Sequence, residues 1–363
     1  MLGVPVHLHP SWLLLAVFVT LTYGEATRVR LGLAPVPAYL VGFGFVCCLL
    51  VSVLLHELGH ALTARWYRIG VRGITLELLG GYTEMDADVP RPRVELVVSL
   101  AGPAVSLVLG LAATGAAVVL STETVAWLIA FQLAAANIIV ALFNMLPGLP
   151  LDGGRALRAL VWAVRRDRNA GTLVAGWVGR LVAAATLVGA VLLQFAALLS
   201  PFGLVFMLLV AFTLWQGATA AIRLARVTRR LPLIDLHKLA RPVYRVVTGT
   251  PLAEAERRAA EAGRAGQPLG VTDSAGRLVA LVEPEAAAAV PAERRPWIGV
   301  DSVARDVSDI GVIPVDLRGE AVIQAVQQHP SSEYLVTSGD DVVGVLRLTD
   351  LVHLLEPKGT PTS

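Results

Sequence analysis

The chain contains 363 residues, of which 55% are hydrophobic and only 16% are charged, and its mean hydropathy is +0.66. This composition excludes an ordinary soluble enzyme and predicts a polytopic membrane protein that carries a soluble domain. The formal net charge of +2 gives no reason to expect a nucleic-acid partner. The two cysteines, Cys47 and Cys48, are adjacent in an apolar run, which excludes a disulfide framework.

The first apolar run extends from Pro10 to Tyr23, and its aromatic residues Trp12 and Tyr23 suit the two membrane interfaces. We expect this segment to remain in the protein, because no basic region precedes it and no small-residue cleavage site follows it. The second span covers roughly Val36 to Tyr67. It is longer than the ~20 residues that a bilayer requires, so it must tilt or project beyond the membrane.

The second span contains the sequence HELGH, from His56 to His60. Residues four apart share one face of a helix, so both histidines can present an imidazole nitrogen to one zinc ion, with Glu57 beside them. A chance match is the competing explanation. Ionisable groups at membrane depth are costly, however, and are retained there only with partners or a function. The motif therefore predicts a catalytic zinc site with Glu57 as general base.

The stretch GITLELLGGYTEMDAD follows two arginines, Arg68 and Arg72, and alternates between apolar and polar residues. Ile74 and Leu76 fall on one side of this pattern. A period of two predicts paired strands, and the Gly80–Gly81 dipeptide predicts the hairpin turn. Non-helical backbone at membrane depth must be covered by protein or line a wet cavity. A hairpin that enters the bilayer is therefore expected to lie against the active site.

Four further spans complete a predicted topology of six. They are expected at about Val94 to Leu120, Val125 to Met145, Leu181 to Leu199 and Phe202 to Leu224. The arginine-rich stretch from Leu151 to Arg180 is predicted to be an amphipathic surface segment. The arginines of the chain cluster on one side of this topology. The positive-inside rule therefore places both termini, and the HELGH end of the second span, in the cytoplasm.

A catalytic zinc ion requires a third protein ligand and an open position for water. The fourth span ends in FNMLPGLPLDGG, where Pro147 and Pro150 break the helix at the membrane edge. Asp152 follows at the depth inferred for HELGH, before two glycines that permit sharp turns. Asp152 is therefore the preferred third ligand. The alternatives are the carboxylates in or after the hairpin: Glu77, Glu84, Asp86 and Asp88.

The composition changes to that of a soluble domain after Arg230. We therefore predict a transmembrane domain over residues 1–230, a soluble domain over 231–356 and a flexible tail over 357–363. The soluble region contains two copies of one pattern. Each copy has a helix rich in alanine and glutamate, a strand, a polar turn, a second strand and a closing helix. The two copies resemble the halves of a tandem CBS pair.

In the CBS family, a Thr and an Asp near the end of a half often hold the ribose of an adenine nucleotide. The second copy ends in GVLRLTDL, which puts Thr349 and Asp350 at these positions. The first copy has Pro284 and Glu285 instead. Two interpretations of the pair therefore remain open: an adenine-nucleotide sensor, and a cap that forms a homodimer without a ligand.

HELGH in one span and FNxLPxxPLDGG at the end of a later one resemble the motifs of the site-2 protease family of intramembrane zinc metalloproteases. The similarity is to the bacterial and archaeal branch that carries a C-terminal CBS pair. It covers nearly the whole chain, including the opening VPVHLHPSW and the AGP at Ala101 to Pro103. The expected fold is a polytopic α-helical membrane protein of about six transmembrane helices with a membrane-associated β-hairpin, followed by an α/β CBS-pair domain.

The resemblance implies a role for each motif residue. His56, His60 and Asp152 would bind one zinc ion, Glu57 would be the acid/base that activates water, and Asn144 would lie near the scissile carbonyl. The hairpin would offer a strand edge to the substrate. This last role has a physical reason, since a transmembrane helix must unwind before hydrolysis and its freed amides then need hydrogen-bond partners.

The resemblance also implies the location and the partners. The protein would be a multi-pass protein of the plasma membrane. Its substrate would be a single-span membrane protein, such as an anti-sigma factor, that is cleaved in or near its transmembrane segment. The CBS pair would modulate this activity.

A different class of function is a membrane transporter or channel that is gated by a CBS pair. HELGH would then be a cation site and Asp152 part of a permeation path. The spans contain no second polar constellation to continue such a path, because Gln132, Asn137 and Gln194 are scattered and can be satisfied by packing. A catalytically inactive scaffold is also disfavoured, since no motif residue is missing.

Overall fold

The computed structural model describes residues 4–77, 80–86, 89–122, 124–339 and 341–355. It divides into two compact units, Met1–Ala225 and Arg226–Ser363. The predicted tail at 357–363 lies outside the described residues.

The first unit consists of long helices and a small sheet. Its elements are β1 (Val6–Leu8), α1 (Ser11–Leu31), α2 (Pro35–Trp66), β2 (Val71–Glu77), β3 (Gly80–Met85), α3 (Pro92–Val119), α4 (Val125–Asn144), α5 (Asp152–Arg165), α6 (Arg168–Phe195) and α7 (Pro201–Arg230). Proline occupies the first turn of α2 and of α3, where its missing N–H leaves no hydrogen bond unmade. Within the described ranges, five helices are long and apolar enough to cross a membrane: α2, α3, α4, α6 and the helix that begins at Pro201.

The multi-pass membrane architecture is therefore confirmed, but the predicted number of six spans is not. The first predicted span falls on α1, which is not among the five because Glu25, Arg28 and Arg30 lower its hydropathy. α1 nevertheless packs along α2, where Val19 of α1 and Phe45 of α2 belong to one buried cluster.

The predicted surface segment from Leu151 to Arg180 is wrong in its second half. Only α5 is a separate amphipathic helix, and it ends where Arg166 adopts a left-handed conformation with φ of 56°. The carboxylate of Asp167 then accepts a hydrogen bond from the Asn169 N–H and caps the next helix. The long apolar helix α6 therefore begins at Arg168, well before the predicted Leu181.

The predicted hairpin is present, and it belongs to a three-stranded sheet of order β1-β2-β3. β2 pairs antiparallel with β3, and β1 pairs parallel with β2. Ile74 and Leu76 are buried, as the alternation predicts. The predicted turn is displaced, because Gly80 and Gly81 lie in β3, opposite Glu77 and Leu76. Residues 78 and 79, which connect the two strands, lie outside the described ranges.

The second unit repeats one α/β topology. Its elements are α8 (Leu236–Leu239), β4 (Tyr244–Val247), α9 (Leu252–Glu261), β5 (Leu269–Thr272), β6 (Leu278–Val282), α10 (Pro284–Ala289), β7 (Ala304–Asp306), β8 (Gly311–Pro314), α11 (Glu320–Gln328), β9 (Glu333–Ser338), β10 (Asp341–Arg347) and α12 (Leu348–Leu355). In each half, a strand, a helix and a parallel strand lead into an antiparallel strand and a closing helix. Leu281 and Leu335 meet in one core cluster between the halves. The repeated pattern in the sequence is thus confirmed as an α/β repeat.

Candidate metal centre and catalytic site

The HELGH sequence lies in the C-terminal half of α2, and the helix continues through it without a break. His56 and His60 are one turn apart on the same face, as the spacing predicts. Their exposed fractions are 5% and 3%, and Glu57 is also only 5% exposed. Three ionisable groups are therefore buried together, which requires compensating partners.

Asp152 supplies a carboxylate to the two histidines. Its Oδ2 lies 3.1 Å from Nε2 of His56 and 3.1 Å from Nε2 of His60, and the two Nε2 atoms are 3.2 Å apart. Four tetrahedral ligands at ~2.0–2.1 Å from a zinc ion lie about 3.3 Å from one another. The spacing of the three donor atoms therefore fits a zinc ion, and a set of three leaves the fourth position open. Within the described ranges, these residues are the single group of three or more His, Cys, Asp or Glu side chains close enough to hold a metal.

Each histidine is oriented through its other ring nitrogen. Nδ1 of His60 lies 2.7 Å from the carbonyl oxygen of Val98, which can only accept, so this nitrogen donates. Nε2 is therefore the nitrogen that faces Asp152, and it can bind a metal once it has lost its proton. Nδ1 of His56 lies 2.9 Å from the hydroxyl of Ser106. Both partners are on α3. Such contacts fix the ring orientation and strengthen metal binding.

The close approach of α3 depends on Gly102. A Cβ atom built at this position would overlap the Nε2 atoms of both histidines. The rings cannot easily move away, because Ser106 and Val98 hold them. No larger residue is therefore compatible with this arrangement.

Asp152 reaches the histidines because the chain turns back at the end of α4. The helix ends at Asn144, and α5 begins at Asp152 itself. The glycines after Asp152 do not form the sharp turns that we predicted. They lie in the first turn of α5, and they are needed for packing, since a Cβ at Gly153 or Gly154 would overlap the backbone of the preceding loop.

The side chain of Asp152 is 13% exposed. Burial by itself raises the pKa of this carboxyl, but the hydrogen bonds with His56 and His60 outweigh burial and hold the pKa below its usual value. Asp152 is therefore an anion at neutral pH, the form that a metal ligand requires.

Glu57 faces the sheet. The hydroxyl of Thr83 on β3 donates a hydrogen bond of 2.8 Å to Oε2 of Glu57, and the same hydroxyl lies 3.2 Å from the Glu57 carbonyl oxygen. A Cβ at Gly81 would crowd the Glu57 side chain, so β3 passes directly against it. The expectation that the hairpin lies against the active site is thus supported by contact with Glu57.

The other predicted site residues are placed differently. Asn144 is half-buried at the end of α4, and its side chain makes no hydrogen bond to another described residue. The alternative ligands Glu84 and Asp86 form ion pairs with Arg72. Asp88 lies outside the described residues. In the second unit, Thr349 is exposed, whereas Asp350 forms two hydrogen bonds of 2.8 Å with Arg241.

The sequence interpretation missed four groups at the site: Ser106, the Val98 carbonyl, Gly102 and Thr83. Of these four groups, only Gly102 lies in a sequence pattern noted above, the AGP at Ala101 to Pro103, to which no role was given. A serine or threonine in an apolar stretch has no distinctive spacing, so its partner is visible only after folding.

The chain is similar to several known proteins. The family model described as "Peptidase family M50" matches residues 44–132 and 122–188. The putative zinc metalloprotease sll0528 of Synechocystis is 29% identical over 360 residues, which cover 98% of this chain and 93% of that protein. The putative zinc metalloprotease Rip3 of Mycobacterium tuberculosis is 30% identical over 394 residues, and the match covers 99% of this chain and 94% of that protein. The solved site-2 protease of Methanocaldococcus jannaschii is 26% identical, covers 61% of this chain and 92% of its own, and has a TM-score of 0.45.

Proposed function

Because the chain belongs to peptidase family M50, the site-2 protease family of zinc metalloproteases, we propose that it hydrolyses a peptide bond in or near the transmembrane segment of single-span membrane proteins. One observation carries this proposal. Asp152 is far from His56 and His60 in the sequence, yet its carboxylate lies within hydrogen-bonding distance of both histidines in a membrane helix bundle, with the buried carboxylate of Glu57 on the same turn of α2.

The side chains of this chain would divide the chemistry between them. A zinc ion held by His56, His60 and Asp152 would supply a Lewis acid that polarises the scissile carbonyl and the attacking water. Glu57 takes the proton from that water and later delivers it to the leaving amine. The hydrogen bond from Thr83 keeps the Glu57 carboxylate in one orientation, and Asn144 is proposed to contact the scissile carbonyl when substrate is bound.

The direct test is cleavage of a labelled single-span peptide by the full chain in detergent. We expect cleavage by the zinc-loaded protein, loss of cleavage when a chelator removes the metal, and recovery when zinc is added back. The fragments, identified by mass spectrometry, should map to the transmembrane segment or its edge. Cleavage that a chelator does not affect would contradict a metalloprotease mechanism.

We also propose that α1 is a sixth membrane span. Six spans would put both termini on the same side of the membrane, and the positive-inside rule makes that side the cytoplasm. Two observations support the sixth span. α1 packs along α2 through buried apolar residues, and its charged end is partly neutralised by an ion pair between Glu25 and Arg28. Single-span regulators such as anti-sigma factors remain the proposed substrate class, and this rests on the family resemblance alone.

The transporter alternative is not supported by the side chains. Asn137, one of the polar residues that could have continued an ion path, donates to Ser52 and to the Leu133 carbonyl. It is therefore satisfied within the helix packing.

We propose that the second unit is a CBS pair that modulates the protease and is not needed for its chemistry. All proposed catalytic residues lie before Gly154, in the first unit. Truncation after Arg230, where α7 ends, is therefore expected to leave a zinc-loaded protein that still cleaves a permissive peptide, with an altered rate or selectivity. A truncated protein that folds and binds zinc but cleaves no peptide would contradict the proposal that the second unit is not needed for the chemistry.

An adenine nucleotide held by Thr349 and Asp350 would be the proposed signal. Asp350 is already bound to Arg241, so a ribose must share this carboxylate or displace the arginine. Titration of the intact protein with adenine nucleotides, followed by thermal stability and cleavage rate, checks this proposal. If neither changes, the dimerising interpretation of the pair is preferred.

A further inference from the structure

A cavity of about 590 Å³ in the first unit is lined by four arginines, Arg72, Arg155, Arg158 and Arg168, and by one acidic residue, Asp86. These residues come from β2, the segment after β3, α5 and the start of α6. Four guanidinium groups around one space favour an anion to the extent that acidic side chains do not neutralise them, because an excess of charge of one sign in a cleft focuses the electric field.

Acidic side chains among the described residues neutralise part of the positive charge of this arginine cavity. Arg72 is 3.0 Å from Asp86 and 3.6 Å from Glu84, and Arg158 forms an ion pair with the buried Glu95. Arg155 has no acidic partner among the described residues. Burial holds the pKa of Arg158 below its usual value in spite of Glu95, and the charges of Arg168 and Arg155 add to this effect. An anion in the cavity would relieve this repulsion.

The arginine cavity adjoins the catalytic site. Thr83, which bonds to Glu57, forms part of its wall. Leu149 and Pro150, which lead into Asp152, form another part. On α5, Arg155 is three residues after Asp152, so the two side chains leave the helix on neighbouring positions of one face. A substrate side chain held in the cavity would therefore belong to a residue only a few positions from the peptide bond that the site would cleave.

We propose that the arginine cavity binds an aspartate or glutamate side chain of the substrate close to the scissile bond, and so selects substrates with an acidic flank. This inference rests on the proposed function. An arginine presents a rigid fork of donors that matches a carboxylate. This suits Arg155, which has no acidic partner within the described ranges, to the role. Cytoplasmic flanks of membrane spans usually carry lysine and arginine, so the same cavity would also disfavour most other membrane proteins.

A peptide is a better occupant than a lipid headgroup, because the substrate must pass Thr83 and Asp152 to be cleaved, whereas no lipid needs to reach them. The experiment compares three single-span peptides that differ only at two positions next to the cleavage site, with Asp, Asn or Lys at both. Zinc-loaded full-length protein in neutral detergent is expected to prefer Asp over Asn by about three- to tenfold in kcat/KM, mainly through KM. The preference should decrease as salt is raised.

Two variants and a control assign the effect to the cavity. Arg155→Gln should reduce the Asp/Asn ratio to near one, and Arg155→Glu should reverse the order so that the Lys peptide is preferred. Arg165→Gln removes an exposed arginine from the same helix, outside the cavity, and should keep the wild-type ratio. Zinc content is measured for every variant.

Equal cleavage of the three peptides, or an Asp preference that survives in Arg155→Gln, would overturn this inference and leave the proposed protease function intact. If the zinc-loaded wild type cleaves none of the peptides, the proposed function fails and the inference fails with it. Repeating the assay in bilayers with and without anionic lipid tests whether the cavity binds a lipid headgroup instead of the substrate. A rate that follows the lipid charge and ignores the peptide charge would assign the cavity to headgroups and overturn the inference.

Discussion

Replacing Glu57 by glutamine is expected to lower the rate of peptide cleavage by a factor of about 10² to 10⁴, while the protein continues to bind one zinc ion. The substitution removes the only proposed proton acceptor. It leaves the three proposed ligands, His56, His60 and Asp152, in place. Glutamine also preserves the size of the side chain and can still accept the hydrogen bond from Thr83, so the packing against β3 is retained.

The measurement combines a cleavage assay with a determination of zinc per chain. Glu293→Gln, which removes an exposed carboxylate of the second unit, is the matched control and should keep both activity and zinc. Full activity of the Glu57 variant would refute the role of this residue as general base. Loss of zinc together with activity would mean instead that Glu57 contributes to the metal site.

Asp152→Ala should lower the cleavage activity by a comparably large factor, but it should do so by weakening zinc binding. We expect zinc affinity to fall by at least about 100-fold and activity to fall with it, because one of three protein ligands is lost and two buried imidazoles lose their anionic partner. Addition of zinc at high concentration should restore part of the activity, which it should not do for the Glu57 variant.

Asp167→Ala is a suitable control for Asp152→Ala. Asp167 is also an aspartate at a helix start, but it caps α6 and lies outside the metal cluster. Its loss should lower stability by about 0.5–2 kcal/mol and leave zinc binding unchanged. If Asp152→Ala binds zinc with normal affinity, the third ligand is another group, and the carboxylates Glu77, Glu84, Asp86 and Asp88 should be tested next. Of these, Glu84 and Asp86 would have to leave Arg72 to bind the metal.

The parts of the site that could be predicted from the sequence are those fixed by local geometry. HELGH places two imidazoles on one helix face whatever the rest of the chain does. The proline-rich end of α4 also indicated where a third ligand could approach. The role of the following glycines was misread, because small residues allow both tight turns and tight packing, and only the structure shows that Gly153 and Gly154 pack against the preceding loop.

Helix limits and long-range contacts were harder to predict. The start of α6 depends on a single capping residue, Asp167, and the arginine-rich sequence around it resembles a surface segment. The sequence alone does not decide whether α1 spans the membrane, because the charged residues near its end lower its hydropathy, and their pairing is visible only in the structure. The hydrogen bonds of Ser106 and Thr83 join residues that are distant in the sequence, and no periodicity marks them.

The contact at Gly102 has a mechanical consequence. With no room for a methyl group between the α3 backbone and the two imidazoles, α3 cannot rotate or slide past α2 without driving a side chain, such as that of Pro103, into the metal centre. The hydrogen bonds of Ser106 and Val98 to the histidines resist the same displacement. α2 and α3 therefore behave as a rigid pair. Any movement that opens the metal centre must therefore come from elements other than these two helices.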